Sequence, residues 1–354
     1  MRRHYSFTDM RVLKQLSIGI IALALAGASF GTFAASTSNS ARAATRAAHP
    51  RAPSSHRPAR AAAFEPASQS FGYAAGLHST ADPLSLRSGA ALVLDQETHE
   101  VLYSKNPEAI LPIASLTKLM TARVVSEANQ PLDEKLTITD EDIDTEKGTH
   151  SRLTPGTQLT RGVMLHLALM SSENRAANAL GRNYPGGLSA FVEAMNAKAR
   201  ELGMADTHYV EPTGLSSHNQ SSAHDLATLV NAAYQYPMIR DLSTSQEYEV
   251  EIGHRTAQFR NTNGLVRSPS WDIGLQKTGY ITEAGRCLVM QASFAGRKLI
   301  MVFLDSAGKY SRIGDAERVR RWLTERFIDT PAELPAAAPA AATGTAAMAV
   351  HASS

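Results

Sequence analysis

Apolar strand-like runs stand at both ends of the central part of this chain, and the segments of helical period fall between them. Residues 89–104, "GAALVLDQETHEVLYS", read as two short apolar runs about a polar turn, the pattern of a hairpin. Helical periodicity then carries "TRGVMLHLALM", "NRAANALGRNY", "LSAFVEAMNAKARELG" and "SAHDLATLVNAAY". Strand-like runs return in "YEVEI", "IGLQKTGY", "CLVMQASF" and "KLIMVFLD", and a last helix follows through "DAERVRRWLTERF". Strands segregated in this way do not alternate as βαβ units. They predict an α+β fold, an antiparallel sheet packed against a helical group. The segment involved, residues 82–329, has the size of one domain. The 354 residues are 43% hydrophobic and 19% charged with a formal net charge of +2, enough apolar material for a full core and no reason to expect a nucleic-acid partner.

Within that frame the stretch "IASLTKLMTA", residues 113–122, sets Ser115 three places before Lys118. Pro112 lies just upstream as a start signal, and Leu116, Leu119, Met120 and Val124 fall on one helical face. Residues three apart share a face, so hydroxyl and amine can come within hydrogen-bonding distance. A serine hydroxyl is a poor nucleophile until a base takes its proton, and a lysine serves as that base when burial and neighbouring positive charge keep it neutral. The helix N-terminus favours negative charge and so disfavours an ammonium nearby. S-x-x-K also arises by chance, and the chain holds a second copy, Ser306-Ala307-Gly308-Lys309. That copy follows a strand and contains a glycine, which reads as a loop.

Two further elements lift the first copy above chance. Ser172-Glu173-Asn174 lies between helical stretches, and Lys277-Thr278-Gly279 lies in an apolar strand and occurs once. S-x-N alone is weak, since Ser104-Lys105-Asn106 and Ser217-His218-Asn219 also match. The ordered trio, each in its expected context, is the signature of penicillin-binding proteins and serine β-lactamases.

On these residues the chain resembles a low-molecular-mass penicillin-binding protein of the serine D-Ala-D-Ala peptidase family, most like its D-alanyl-D-alanine endopeptidase type. "LPIASLTKLMTA", "LALMSSENRAANAL", "YVEPTGLS" and "LQKTGYITEAGRCLVM" carry the likeness across nearly the whole core. The resemblance implies the serine β-lactamase/D,D-peptidase fold with an all-helical subdomain. It implies that Ser115 forms an acyl-enzyme with Lys118 as general base, while Ser172 relays a proton to the leaving amine. Asn174 would hold the substrate backbone beside Lys118, and Glu173 between them would point away, its identity mattering little. Lys277 would meet the substrate carboxylate and discourage protonation of Lys118, with Thr278 adding a hydroxyl. Gly279 would let an extended substrate lie along the strand, and the backbone N–H groups of Ser115 and Tyr280 would form the oxyanion hole. The implied partners are peptidoglycan peptides and, as covalent inhibitors, β-lactam antibiotics; no cofactor and no metal is called for.

Alternatives within reach of the same motifs are a D-alanyl-D-alanine carboxypeptidase, a class A β-lactamase and an inactive wall-binding module. The lactamase reading wants an acid placed for deacylation after the S-x-N element, and no E-x-x-L-N-like run follows it; Glu193 and Glu211 sit in a helical pattern and a turn. Carboxypeptidase relatives usually append a β-rich domain and an amphipathic anchor, whereas here residues 330–354 form an Ala/Pro-rich tail. All of the trio is present, against the inactive module. The 12 histidines include His218 and His224, six apart, but no H-E-x-x-H set for zinc.

Residues 1–35 combine a basic start, an apolar run and small residues near Ala34, an export signal leading to the periplasm, with a retained anchor as the alternative. Residues 36–81 read as a disordered linker rich in Ala, Pro and Arg, serving either as a solvated spacer or as a weak electrostatic tether to membrane or wall. Cys287, the single cysteine, reads as a buried small hydrophobe in a strand. A fluorescent penicillin is expected to label the wild type covalently and to leave Ser115→Ala unlabelled. Label on the alanine variant would remove the assignment of the nucleophile.

Overall fold

Between Leu299 and Leu304 successive side chains alternate between two separate apolar cores. Leu299, Met301 and Phe303 pack with Ala316, Val319 and Leu323, while Ile300, Val302 and Leu304 join the much larger core of the helical group. A strand covered on both faces needs apolar residues at every position, which is why "KLIMVFLD" reads as a continuous run with no polar alternation. The computed structural model describes residues 69–327.

In chain order the elements are α1 (Phe71–Ala74), β1 (Ser88–Asp95), β2 (Val101–Lys105), β3 (Leu111–Pro112), α2 (Lys118–Glu127), β4 (Lys135–Thr137), β5 (Gln158–Thr160), α3 (Arg161–Met170), α4 (Asn174–Arg182) and α5 (Gly187–Glu201). There follow β6 (Gln220–Ser221), α6 (Ala223–Tyr234), α7 (Pro237–Thr244), β7 (Glu247–Ile252), β8 (Arg255–Arg260), β9 (Asp272–Ile281), β10 (Gly285–Phe294), β11 (Arg297–Ser306) and α8 (Ser311–Phe327). The main sheet has the order β2-β1-β11-β10-β9 with every pair antiparallel, so the first hairpin is closed by the last strands of the domain. This is the α+β architecture expected from the strand–helix–strand arrangement.

One face of the sheet carries α8, and the other carries the helical group built around α2, which touches α3, α4, α5 and α6. The four residues expected on one helical face are all buried, Leu119, Met120 and Val124 on α2 and Leu116 in the turn that leads into it. The short elements α1, β3, β4, β5 and β6 escaped the sequence reading, and so did α7 and β8. The helix α7 is eight residues long and starts on Pro237, too short for a periodic signal. The strand β8 is mostly exposed and pairs only with β7, so its polar sequence carries no strand alternation beyond Phe259.

The expected end of the linker at residue 81 lies inside the ordered fold. Residues 71–74 and 77–79 are helical, the Phe71 N–H donates to the Glu283 carbonyl at 2.9 Å, and His78 Nε2 lies 3.1 Å from the buried carboxylate of Asp305. Ordering is possible there because Leu77 packs on the main core and Asn106 donates to the carbonyls of Leu77 and Gly89. The signal, the rest of the linker and the tail fall outside the described residues.

Asp315 ties α8 to the sheet. It is fully buried and accepts from the Arg87 N–H, the hydroxyls of Ser88 and Ser306 and the Arg318 guanidinium. Removing such a hub strands several buried donors, so Asp315→Ala is expected to lower the unfolding free energy by about 3 kcal/mol. The exposed Asp133→Ala is expected to change it by less than about 0.5 kcal/mol. Denaturant unfolding checks both; equal small effects would contradict the hub.

Candidate active site

Ser115 sits on a single 3₁₀ turn, Ala114–Thr117, that runs straight into α2. The turn is forced into place from both sides. Ala114 has a φ of +48°, and the Ile113 N–H donates to the Asn219 carbonyl at 3.1 Å. The Thr117 hydroxyl donates to the Ala114 carbonyl at 2.8 Å. The strand β9 presses against it closely: a Cβ on Gly279 would lie 3.0 Å from the Ile113 carbonyl oxygen and 3.1 Å from the Ser115 nitrogen. Glycine is needed here for approach.

The Lys118 side chain is fully buried, and its Nζ has three neighbours: Ser115 Oγ at 2.9 Å, Asn174 Oδ1 at 2.7 Å and the Thr213 carbonyl at 2.5 Å. Two of these are carbonyl oxygens, which only accept. A neutral amine has two N–H bonds and one lone pair. When both hydrogens go to Asn174 and Thr213, the lone pair is left facing the Ser115 hydroxyl. Burial pulls the Lys118 ammonium down to about 7, against the pull of the Glu211 and Glu173 carboxylates. An amine so placed, with its ammonium lowered, can accept a proton from the Ser115 hydroxyl.

Ser172 has a φ of +62°, and its hydroxyl accepts from Lys277 Nζ at 2.9 Å. Lys277 is also fully buried and gives a second N–H to the Thr278 carbonyl at 2.8 Å. The Thr278 hydroxyl pairs with that of Thr262 at 2.6 Å. Tyr280, the next residue but one, is half exposed with the Arg286 guanidinium 4.3 Å from its ring centre. Ser115, Lys118, Ser172, Asn174, Lys277, Thr278 and Gly279 thereby converge on one place, although they come from three distant parts of the chain. The second S-x-x-K pair does not belong to it: the Ser306 hydroxyl donates to Asp315 and Lys309 lies over the Tyr310 ring. Cys287 is buried with its thiol pushed up to about 12 by burial, so it is no nucleophile.

One expectation needs correction. The identity of Glu173 is not immaterial: it is 9% exposed, accepts from the Ser151 hydroxyl at 2.7 Å, and its charge bears on Lys118. Burial raises its carboxyl above the usual range, against Ser151, Arg152 and Lys118. Lys277 and Lys118 repel each other's charge, and Lys277 is held well below the usual lysine range, first by burial, then by the charges of Lys118 and Arg312.

Several groups were missed. The Thr213 carbonyl belongs to "YVEPTGLS", whose Pro and Gly signal a turn but not its aim. Arg312, at the start of α8, is lowered by burial and by Arg286, and its Nε and Nη1 are buried with no hydrogen-bond partner. Nothing local in the sequence marks it. A buried cation with free donors next to Lys277 favours an anion, such as a carboxylate, in the site. Thr149 is a third: the Asn174 amide donates to its hydroxyl at 3.0 Å, and nearby Lys147 pairs with Glu283 in the turn after β9 at 2.6 Å.

A profile of the D-alanyl-D-alanine carboxypeptidase family matches residues 77–308. The chain is 52% identical over 257 residues to the D-alanyl-D-alanine endopeptidase of Pseudomonas aeruginosa, covering 72% of this chain and 82% of the relative. It is 47% identical over 256 residues to the D-alanyl-D-alanine endopeptidase of Escherichia coli, covering 72% and 83%. Among solved structures it is similar to penicillin-binding protein D2 of Listeria monocytogenes in its cefotaxime-bound form, with a TM-score of 0.61, 28% identity, and coverage of 68% of this chain and 98% of that one.

Because Lys118 is lowered to about 7, its amine carries a proton and no lone pair below that pH and is free above it. Acylation by a fluorescent penicillin is therefore expected to rise with pH through about 7. A flat profile between about pH 5.5 and 9 would contradict the base.

Proposed function

The chain belongs to the D-alanyl-D-alanine carboxypeptidase family, whose members are serine peptidases, and from that premise we propose that it is an endopeptidase cutting peptidoglycan cross-links through an acyl-enzyme. The observation that carries the chemistry is the Lys118 amine, saturated by two carbonyl acceptors and 2.9 Å from the Ser115 hydroxyl. Ser115 Oγ attacks the carbonyl of the penultimate D-alanine while Lys118 takes its proton. The backbone N–H groups of Ser115 and Tyr280 stabilise the oxyanion. Lys277 donates to Ser172 Oγ and so leaves the hydroxyl hydrogen of Ser172 free to be passed to the departing amine, while Ser172 is reprotonated by the proton that Lys118 took from Ser115, which returns Lys118 to the neutral amine. Water then cleaves the ester by the reverse traffic through Lys118.

β9 is the edge of the main sheet and lies against the nucleophile turn, which suits a substrate strand running along it with Gly279 at the closest point. Asn174 faces that strand from the opposite side. Lys277, Thr278 and Arg312 take the carboxylate on the leaving residue. Such a carboxylate is present both on a terminal D-alanine and beside a cross-link, so the anion site serves endopeptidase and carboxypeptidase alike. The relatives at 52% and 47% identity, both endopeptidases by name, favour the cross-link. A β-lactam presents the same carbonyl and carboxylate and is expected to be trapped on Ser115, as the cefotaxime-bound relative suggests.

This reading places the enzyme in the periplasm, exported by residues 1–35, with the basic stretch ahead of residue 69 as a spacer or electrostatic tether and residues 330–354 as a tail. Digestion of purified cross-linked and monomeric muropeptides tests the substrate. Conversion of dimers to monomers is expected; release of free D-alanine from monomers alone would favour the carboxypeptidase.

A further inference from the structure

The turn that carries the Thr213 carbonyl is built around one side chain. Glu211 Oε2 accepts from both the N–H and the hydroxyl of Thr213 at 2.5 Å. Its Oε1 accepts from the Gly214 N–H at 2.6 Å, the Asn219 amide at 2.9 Å and the Ser216 N–H at 3.3 Å. Five donors from residues 213–219 converge on one carboxylate. Asn219, fully buried, links this knot to the nucleophile turn, because its amide also donates to the Thr117 hydroxyl at 3.1 Å and its carbonyl accepts from Ile113. The two turns are in contact. Gly214 has a φ of +82°, and a Cβ there would overlap the Ala114 carbonyl. One residue earlier, the Pro212 carbonyl accepts from the Thr121 hydroxyl at 2.7 Å, a second pin onto α2.

We propose that Glu211 is a positioning residue for acyl transfer: it gathers the 213–216 amides so that the Thr213 carbonyl stands at Lys118, and thereby aims the lone pair of that amine at Ser115. The inference rests on the reading of Ser115 and Lys118 as nucleophile and base. The requirement is for a group that only accepts. A glutamine would set an N–H₂ against the N–H of Thr213 or the amides of Gly214 and Ser216, and an aspartate would fall short of the turn by one carbon. The negative charge has a separate effect. The charged groups facing Lys118 are Glu211 from the turn, Glu173 from the start of α4 and Lys277 from β9, and the two carboxylates raise the Lys118 value against its burial. Loss of the Glu211 charge therefore lowers the pH at which Lys118 becomes a base, even as loss of the turn spoils its aim.

The test is the rate of acylation by a fluorescent penicillin as a function of pH, on the full chain, for wild type, Glu211→Gln and Glu211→Asp. Rates are normalised to the labelled end point, and melting temperatures are measured alongside. For Glu211→Gln the alkaline plateau is expected to fall by on the order of tenfold or more, with the rising limb displaced to lower pH. For Glu211→Asp, which keeps the charge, the plateau is expected to fall while the limb stays near its wild-type position. A Gln variant with the wild-type plateau and limb would overturn the proposal. So would one whose only changes are a lower melting temperature and a smaller labelled fraction, which a purely structural role would give. If the Gln variant does not fold, an Asp variant with the wild-type plateau overturns it equally. Label on Ser115→Ala would instead remove the underlying assignment of the nucleophile.

Discussion

Everything in this site follows from hiding a lysine amine from water beside a serine. Desolvation disfavours the ammonium, and two fixed carbonyl oxygens absorb the hydrogens of the neutral form. The remaining lone pair has one polar neighbour, the Ser115 hydroxyl. None of the three contacts is local except that serine. Asn174 comes from the start of α4 and Thr213 from the turn after α5, so this environment of the amine exists only while the helical group is packed around α2.

That packing is the reason for the shape of the fold. The two halves of the main sheet are supplied by the two ends of the domain, and the helices threaded between them have one covered face of that sheet on which to settle. α2 lies at the centre of that group with its N-terminal turn against β9, the edge strand. At Gly279 and Gly214 the backbone meets that of residues 113–115 without room for a side chain, one from the sheet and one from the helical side. The turn that carries Ser115 is held between them.

The charge distribution is equally specific. Lys118, Lys277 and Arg312 are basic groups withdrawn from water in one region, and each is lowered from its ordinary value. Glu173 and Glu211 stand behind the amine and oppose that lowering for Lys118 alone. The arrangement sets Lys118, on the side of the carboxylates, apart from Lys277 and Arg312 on the side of β9 and α8. A negative charge placed beside Lys277 would relieve the repulsion that falls on it.

The sequence by itself determined the fold class, the sheet runs, the face of α2 and the three motif segments, because each is written in local periodicity or in residues three apart. It also separated Ser115 from Ser306, since a helix start and a glycine loop differ within a few residues. What only the tertiary structure decided was which groups from elsewhere close on the amine. Thr213 contributes a backbone carbonyl, and a carbonyl has no letter in the sequence. Arg312 is one arginine among many until α8 brings it to Lys277. Glu173 looked free to vary because it stands between two functional neighbours, whereas it is buried, accepts from Ser151, and its charge bears on Lys118. Periodicity encodes the faces of single elements; the aim of a lone pair is a property of their packing.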